Sequence, residues 1–265
     1  MADALFRLDG DRFIPHELTR GPWAPDAMHG GAVSALLASA AESVPTLVPM
    51  QAARLSIELM RPVRLVPLRV ETRVLREGKK VQWVEAHVLD GDTEVAHAIL
   101  LRIRVADIPW PSRTAGGDVH LPFDGPQSAA AIAAPWSVDY PAAYHSTATE
   151  HRTVRGQWGA IGPTTDWIRL RLPVVAGEEP SPLQRVAAVA DFGNGISSAL
   201  PYESHKFINP DLTITLHRLP EDEWVCLDAV TYPEPHGIGV AHSVLYDERG
   251  RIGHSAQTLL LEPWR

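Results

Sequence analysis

An alternating strand pattern that occurs twice in the chain constrains the fold more than any other feature. Arg54-Leu-Ser-Ile-Glu-Leu-Met-Arg61 alternates polar and apolar positions, and Asp211-Leu-Thr-Ile-Thr-Leu-His-Arg218 does the same. Leu55, Ile57 and Leu59 stand where Leu212, Ile214 and Leu216 stand in the second copy. A period of two puts these side chains on one face, as in a strand that covers a core on one side. Each copy is followed by three more runs of the same kind. They span 68–75, 81–89 and 95–105 in the first half, and 224–231, 238–246 and 252–261 in the second. Glu77-Gly-Lys-Lys80 and Asp247-Glu-Arg-Gly250 supply turn residues between neighbouring runs.

A helix precedes the strands in both halves. Met28 to Glu42 is small and apolar on nearly every side, which suits a helix enclosed by a sheet. The second helix begins at Ser181-Pro182-Leu183-Gln184, where Ser181 can cap, Pro182 suits the first position and Gln184 completes a capping box. It runs on through Val186 and Val189 to Asp191, a carboxylate inside an otherwise apolar helix. A helix followed by four antiparallel strands, twice over, is an α+β architecture. Residues 108–140 are rich in Pro, Gly, Ser and Ala and form the expected linker, leaving domains at 1–107 and 141–265. Strand-like patterns resume at 145–158 and 165–172.

Composition removes several function classes. The net charge of −8, with no Lys/Arg run, speaks against nucleic acid or an anionic membrane surface as partner. No stretch approaches the ~18–20 apolar residues of a bilayer span. Asp3, Asp9 and Asp11 lie where a secretory signal would need an apolar core, so a cytoplasmic location is expected. The single cysteine, Cys226, lies in the apolar run Trp224–Leu227 and is expected in the core, not as a nucleophile. The histidines have no zinc-type spacing, and no phosphate loop or dinucleotide fingerprint is present, so neither metal nor cofactor is expected.

The segment His29-Gly-Gly-Ala-Val-Ser-Ala-Leu-Leu-Ala38 resembles the helix start of hotdog-fold thioesterases. Ala190-Asp-Phe192, Asn209-Pro-Asp-Leu-Thr213, His217-Arg218 and Ser255-Ala-Gln-Thr258 resemble acyl-CoA thioesterase II and its relatives. The resemblance implies a double hotdog, two tandem domains each with a long helix wrapped by an antiparallel sheet. It implies an acyl-CoA substrate, and it is compatible with a homodimer or higher homo-oligomer. It also implies an Asp–Gln–hydroxyl catalytic group, which falls on Asp191, Gln257 and, at the hydroxyl position, Asn209. An amide can hold a water by hydrogen bonds but cannot act as a hydroxyl does.

Thioester hydrolysis requires an activated water and donors for the oxyanion that develops. The start of the first helix, His29-Gly30-Gly31, offers free N–H groups and the positive end of a helix dipole. Asp191 is then the candidate base or nucleophile. Aligning the helices by their starts gives Ser39 as the counterpart of Asp191 and Pro182 as that of Gly30, so one working site per chain is expected. Two other readings compete. Gly195-Ile-Ser197-Ser-Ala199, with Asp228 and His242 or His254, faintly resembles an α/β-hydrolase elbow but lacks its second glycine. A non-enzymatic acyl-CoA-binding protein could share the same fold.

Overall fold

The two copies of the alternating strand pair with each other. The computed structural model describes residues 3–109, 111, 120–132 and 143–264. In the first half, the hairpin β1 (Phe6–Asp9) and β2 (Arg12–Pro15) precedes α1 (Gly30–Ser43). Then follow β3 (Met50–Glu58), β4 (Leu68–Arg76), β5 (Val81–Asp90) and β6 (Thr93–Arg104). The second half holds β7 (Ala130–Ile132), β8 (Thr149–Arg155), β9 (Thr164–Leu170), α2 (Pro182–Ala190) and the single turn α3 (Gly193–Ile196). It ends with β10 (His205–Ile208), β11 (Asp211–Leu216), β12 (Val225–Pro233), β13 (Ile238–Asp247) and β14 (Gly250–Pro263).

One sheet of 14 strands results, in the order β1-β2-β4-β5-β6-β3-β11-β14-β13-β12-β9-β8-β7, with β10 also on β14. Its halves meet at the antiparallel pair β3–β11, where Ile57 faces Leu212 and Leu55 faces Ile214. All four side chains are buried, so the apolar face runs unbroken from one half into the other. A single core cluster accordingly contains residues of both helices and both half-sheets. The helices lie antiparallel: His29, the cap of α1, meets Asp191 at the end of α2, while Ser181, the cap of α2, bonds Glu42 near the end of α1. No helix among the described residues is long and apolar enough to cross a membrane.

Several expectations need correction. Asp191 closes α2 at its C-cap and does not sit inside the helix: the Gln257 side-chain amide takes the Asp191 carbonyl and the Asn194 N–H, which a continuous helix would bond within itself. His145 does not begin a strand. Residues Tyr144–Ala148 form a wide helical turn, anchored by the Tyr144 hydroxyl, which donates to Ala188 O at 2.8 Å, and β8 starts only at Thr149. Residues 120–132 of the expected 108–140 linker are built into the second half. Leu121 and Phe123 pack against Trp167, Trp224 and Cys226, and the Trp167 indole donates to Asp124 O at 3.0 Å. Residues 110, 112–119 and 133–140 of that stretch lie outside the described residues. The β1–β2 hairpin was not foreseen. It is stitched to the second half by Leu5 N–H to Pro173 O and Phe6 N–H to Val174 O, each 2.9 Å.

Candidate active site

The end of α2 presents a carboxylate to the start of α1. Asp191 is only 5% exposed, and a group of donors converges on it. Asn209 Nδ2 donates to Oδ1 at 2.8 Å, Gln257 Nε2 reaches Oδ1 at 3.3 Å, and His29 Nδ1 lies 3.0 Å from Oδ2. Burial by itself would raise the Asp191 pKa. The hydrogen bond and charge of His29, the Asn209 amide and the Gly31 N–H outweigh it and hold the carboxyl below its ordinary value.

Each partner is itself held in place. The His29 ring packs against both Tyr144 and Phe192, with centroids 4.8 and 4.6 Å away, and those two rings also stack on each other at 5.9 Å. Its Nδ1 also lies 3.0 Å from Gly31 N. One ring nitrogen cannot donate to Asp191 and accept from Gly31 at once, and the ionised carboxylate favours the Nδ1–H form. Gln257, on β14, donates to Asp191 O at 3.1 Å and accepts the Asn194 N–H at 3.1 Å. It thus fixes the chain on both sides of Phe192 and Gly193. A Cβ at Gly193 would come 2.8 Å from Gln257 Oε1, which explains glycine there. Asn209, ahead of β11, also donates to Asp211 O at 3.1 Å.

A cavity of about 380 Å³ opens onto this group. Asp191, Asn209, His29 and Gly30 line it, whereas Gly31 and Gln257 stand behind its wall. Gly30 touches the carboxylate so closely that an added Cβ would lie 2.7 Å from Oδ2. Its N–H belongs to the first turn of α1, where donors have no partner within the helix. The Gly31 N–H is turned to His29 and Asp191. The remaining wall is largely apolar, with Trp23, Met28, Val33, Val63, Trp158 and Phe192, and two cations, Arg61 and Lys206, also face the cavity. Trp158 is 4% exposed, and its indole nitrogen has no hydrogen-bond partner among the described residues. The sequence reading missed Tyr144 and Trp158, which stand at the two ends of the strand-like run 145–158 and carry no motif, and Arg61 and Lys206, which look like ordinary surface charges.

The competing constellations do not assemble. Ser197 Oγ bonds Gly193 O and Thr231, and Asp228 is held by Arg155 and Thr165, so serine and carboxylate are engaged with groups other than His242 or His254. Cys226 is buried, which pushes its thiol pKa up, and it packs with two tryptophans. The counterpart of Asp191 across the pseudo-twofold is Glu42 and not Ser39. Its Oε2 accepts the Ser181 hydroxyl at 2.5 Å, the place that His29 and Asp191 take at the other end. Near Glu42, Arg102 donates to Ala41 O and Val44 O, closing the end of α1.

A continuous antiparallel sheet wound about two antiparallel central helices, with a carboxylate at one helix junction, defines a double hotdog. Residues 19–103 match the model of the acyl-CoA thioesterase N-terminal domain, and residues 121–261 match that of the C-terminal domain. The chain belongs to the acyl-CoA thioesterase family and is a thioester hydrolase. Solved structures agree on the fold. A conserved hotdog-fold protein of unknown function from Alicyclobacillus acidocaldarius is 16% identical, with a TM-score of 0.73 over 98% of this chain and 97% of its own. The tesB protein of Mycobacterium avium subs paratuberculosis is 15% identical, with a TM-score of 0.68 over 97% and 96%. The acyl-CoA thioesterase II TesB2 of Mycobacterium marinum is 14% identical, with a TM-score of 0.65 over 89% and 91%. A search of curated proteins finds no match to this chain.

Proposed function

We propose that the chain hydrolyses fatty or related acyl-CoA thioesters at a single site, with Asp191 directing the attack of water. The observation that carries this is the buried carboxylate, held ionised by His29, Asn209 and Gln257, at the mouth of α1 and on the wall of an apolar cavity. The acyl chain occupies the apolar wall from Met28 to Trp158, and the thioester carbonyl oxygen points at the Gly30 N–H. Water held between Asp191 and the Asn209 amide attacks the carbonyl carbon and gives its proton to Asp191. The oxyanion takes the Gly30 N–H as donor, aided by the dipole of α1. Collapse breaks the C–S bond, and the departing sulfur recovers the proton from Asp191. In this scheme Gln257 and His29 position the carboxylate and Gly31 completes its hydrogen bonds, while Arg61 and Lys206 meet the anionic part of coenzyme A. A screen of thiol release across acyl-CoAs of graded chain length tests this reading. Turnover of at least one thioester supports it; saturable binding of acyl-CoA with no release of thiol would instead establish a binding protein.

A further inference from the structure

None of His87, Glu94 and His97 lines the cavity, and sequence spacing gave no reason to group them. His87 on β5 and His97 on β6 face each other directly across the two strands, with ring centroids 5.8 Å apart. Both alternate with core residues, Ala86 and Val88 on one strand, Ala96 and Ala98 on the other, so their rings stand on the outer face of the sheet. Glu94, at the start of β6, reaches both. Its Oε1 lies 2.9 Å from Nδ1 of His87 and 2.9 Å from Nδ1 of His97. The three side chains are 25%, 38% and 29% exposed, open enough for an ion to enter from solvent.

One donor atom from each residue falls within 4.8 Å of the others. Tetrahedral coordination at ~2.0–2.1 Å sets ligand atoms about 3.3 Å apart, so the two 2.9 Å separations need little adjustment. Two imidazoles and a carboxylate are also a donor set that suits Zn²⁺ and its first-row neighbours. A further carboxylate completes the pattern: Glu85 Oε2 lies 3.3 Å from Nε2 of His87 and is itself held by Arg73. With Nδ1 on an ion, His87 must carry its proton on Nε2, and Glu85 accepts it. Outer carboxylates of this kind fix the tautomer and orientation of metal-bound histidines.

We propose that His87, Glu94 and His97 form a binding site for one divalent transition-metal ion, which clips β5 to β6 and leaves a fourth position for water. The ion replaces the protons on the two Nδ1 atoms, which pass to the other ring nitrogen or to solvent. The test is a titration of chelator-stripped protein with Zn²⁺ in competition with a chromophoric chelator, at about pH 7.5, where free imidazoles are neutral. One ion per chain is expected. Affinity should fall at least about 100-fold in His97→Asn and in His87→Asn, and about 10–100-fold in Glu85→Gln. His242→Asn, on the other half, should bind as the parent does. Melting temperatures measured in chelator, equal to that of the parent, show that the variants are folded. Absence of stoichiometric zinc binding by the parent, or retention of binding by both histidine variants, overturns the proposal.

Discussion

Asp191 combines deep burial with a lowered pKa, two properties that conflict unless donors surround the carboxylate. Its folded pKa lies below the unfolded value, so it stabilises the fold above the ordinary carboxylate range, near pH 3.9, and that contribution fades as the pH falls through the folded pKa. In the proposed mechanism the same ionisation governs the reaction. Asn209→Ala removes the 2.8 Å donor to Oδ1, which raises the Asp191 pKa. The acidic limb of kcat/KM should therefore move to higher pH, measurable in a pH–rate profile; an unmoved limb would mean that Asn209 does not tune the carboxylate. Gly30→Ala places a Cβ against Oδ2 and should lower kcat/KM about 100-fold, the scale of an ångström of misplacement at a reacting group. Steady-state kinetics beside a thermal melt separates that effect from unfolding. Helix-start chemistry nominated His29, Gly30, Gly31 and Asp191, the family resemblance added Asn209 and Gln257, and the fold brings these six into one neighbourhood. The direction each group faces was not legible, because it depends on the α1–α2 crossing. Hence Gly31 turns inward, and Gln257 supports the carboxylate from behind the cavity wall.

At the level of elements, helix caps were the most readable feature. Ser181 accepts the Gln184 N–H at 3.1 Å, as its place before Pro182 suggests, and also donates to Glu42. Ser181→Ala should cost about 1 kcal/mol, checked by urea denaturation. Helix lengths were less readable. The first helix has 14 residues and the second 9, so aligning their starts pointed to Ser39, whereas Glu42 is the carboxylate that meets the opposite helix cap, Ser181, as Asp191 meets His29. Burial raises the Glu42 pKa, and Ser181 and Arg102 enclose its carboxylate. With the cavity at the Asp191 end, Glu42→Gln should leave thioester turnover within about threefold of the parent in the thiol-release assay. A loss comparable to that of an Asp191 variant would reveal a second working site.

For the whole molecule, the repeat disclosed two halves but not how thoroughly they merge. Leu55, Ile57, Leu212 and Ile214 marked the strands that join, since a strand with one apolar face must share its core. The β1–β2 hairpin and residues 120–132 were illegible for a physical reason: both are short or polar, and they gain order from partners remote in sequence. Because one core spans both halves, calorimetry should record a single cooperative transition. Ile214→Ala, at the junction, should lower stability by about 2–5 kcal/mol without splitting it. The proposed mechanism makes the chain one catalytic unit built around one carboxylate, and the most direct test is the turnover of Asp191→Asn on the best acyl-CoA substrate. The variant should fold as the parent does and lose about 100- to 10,000-fold in kcat. A folded Asp191→Asn protein that releases thiol at the parental rate would contradict the account.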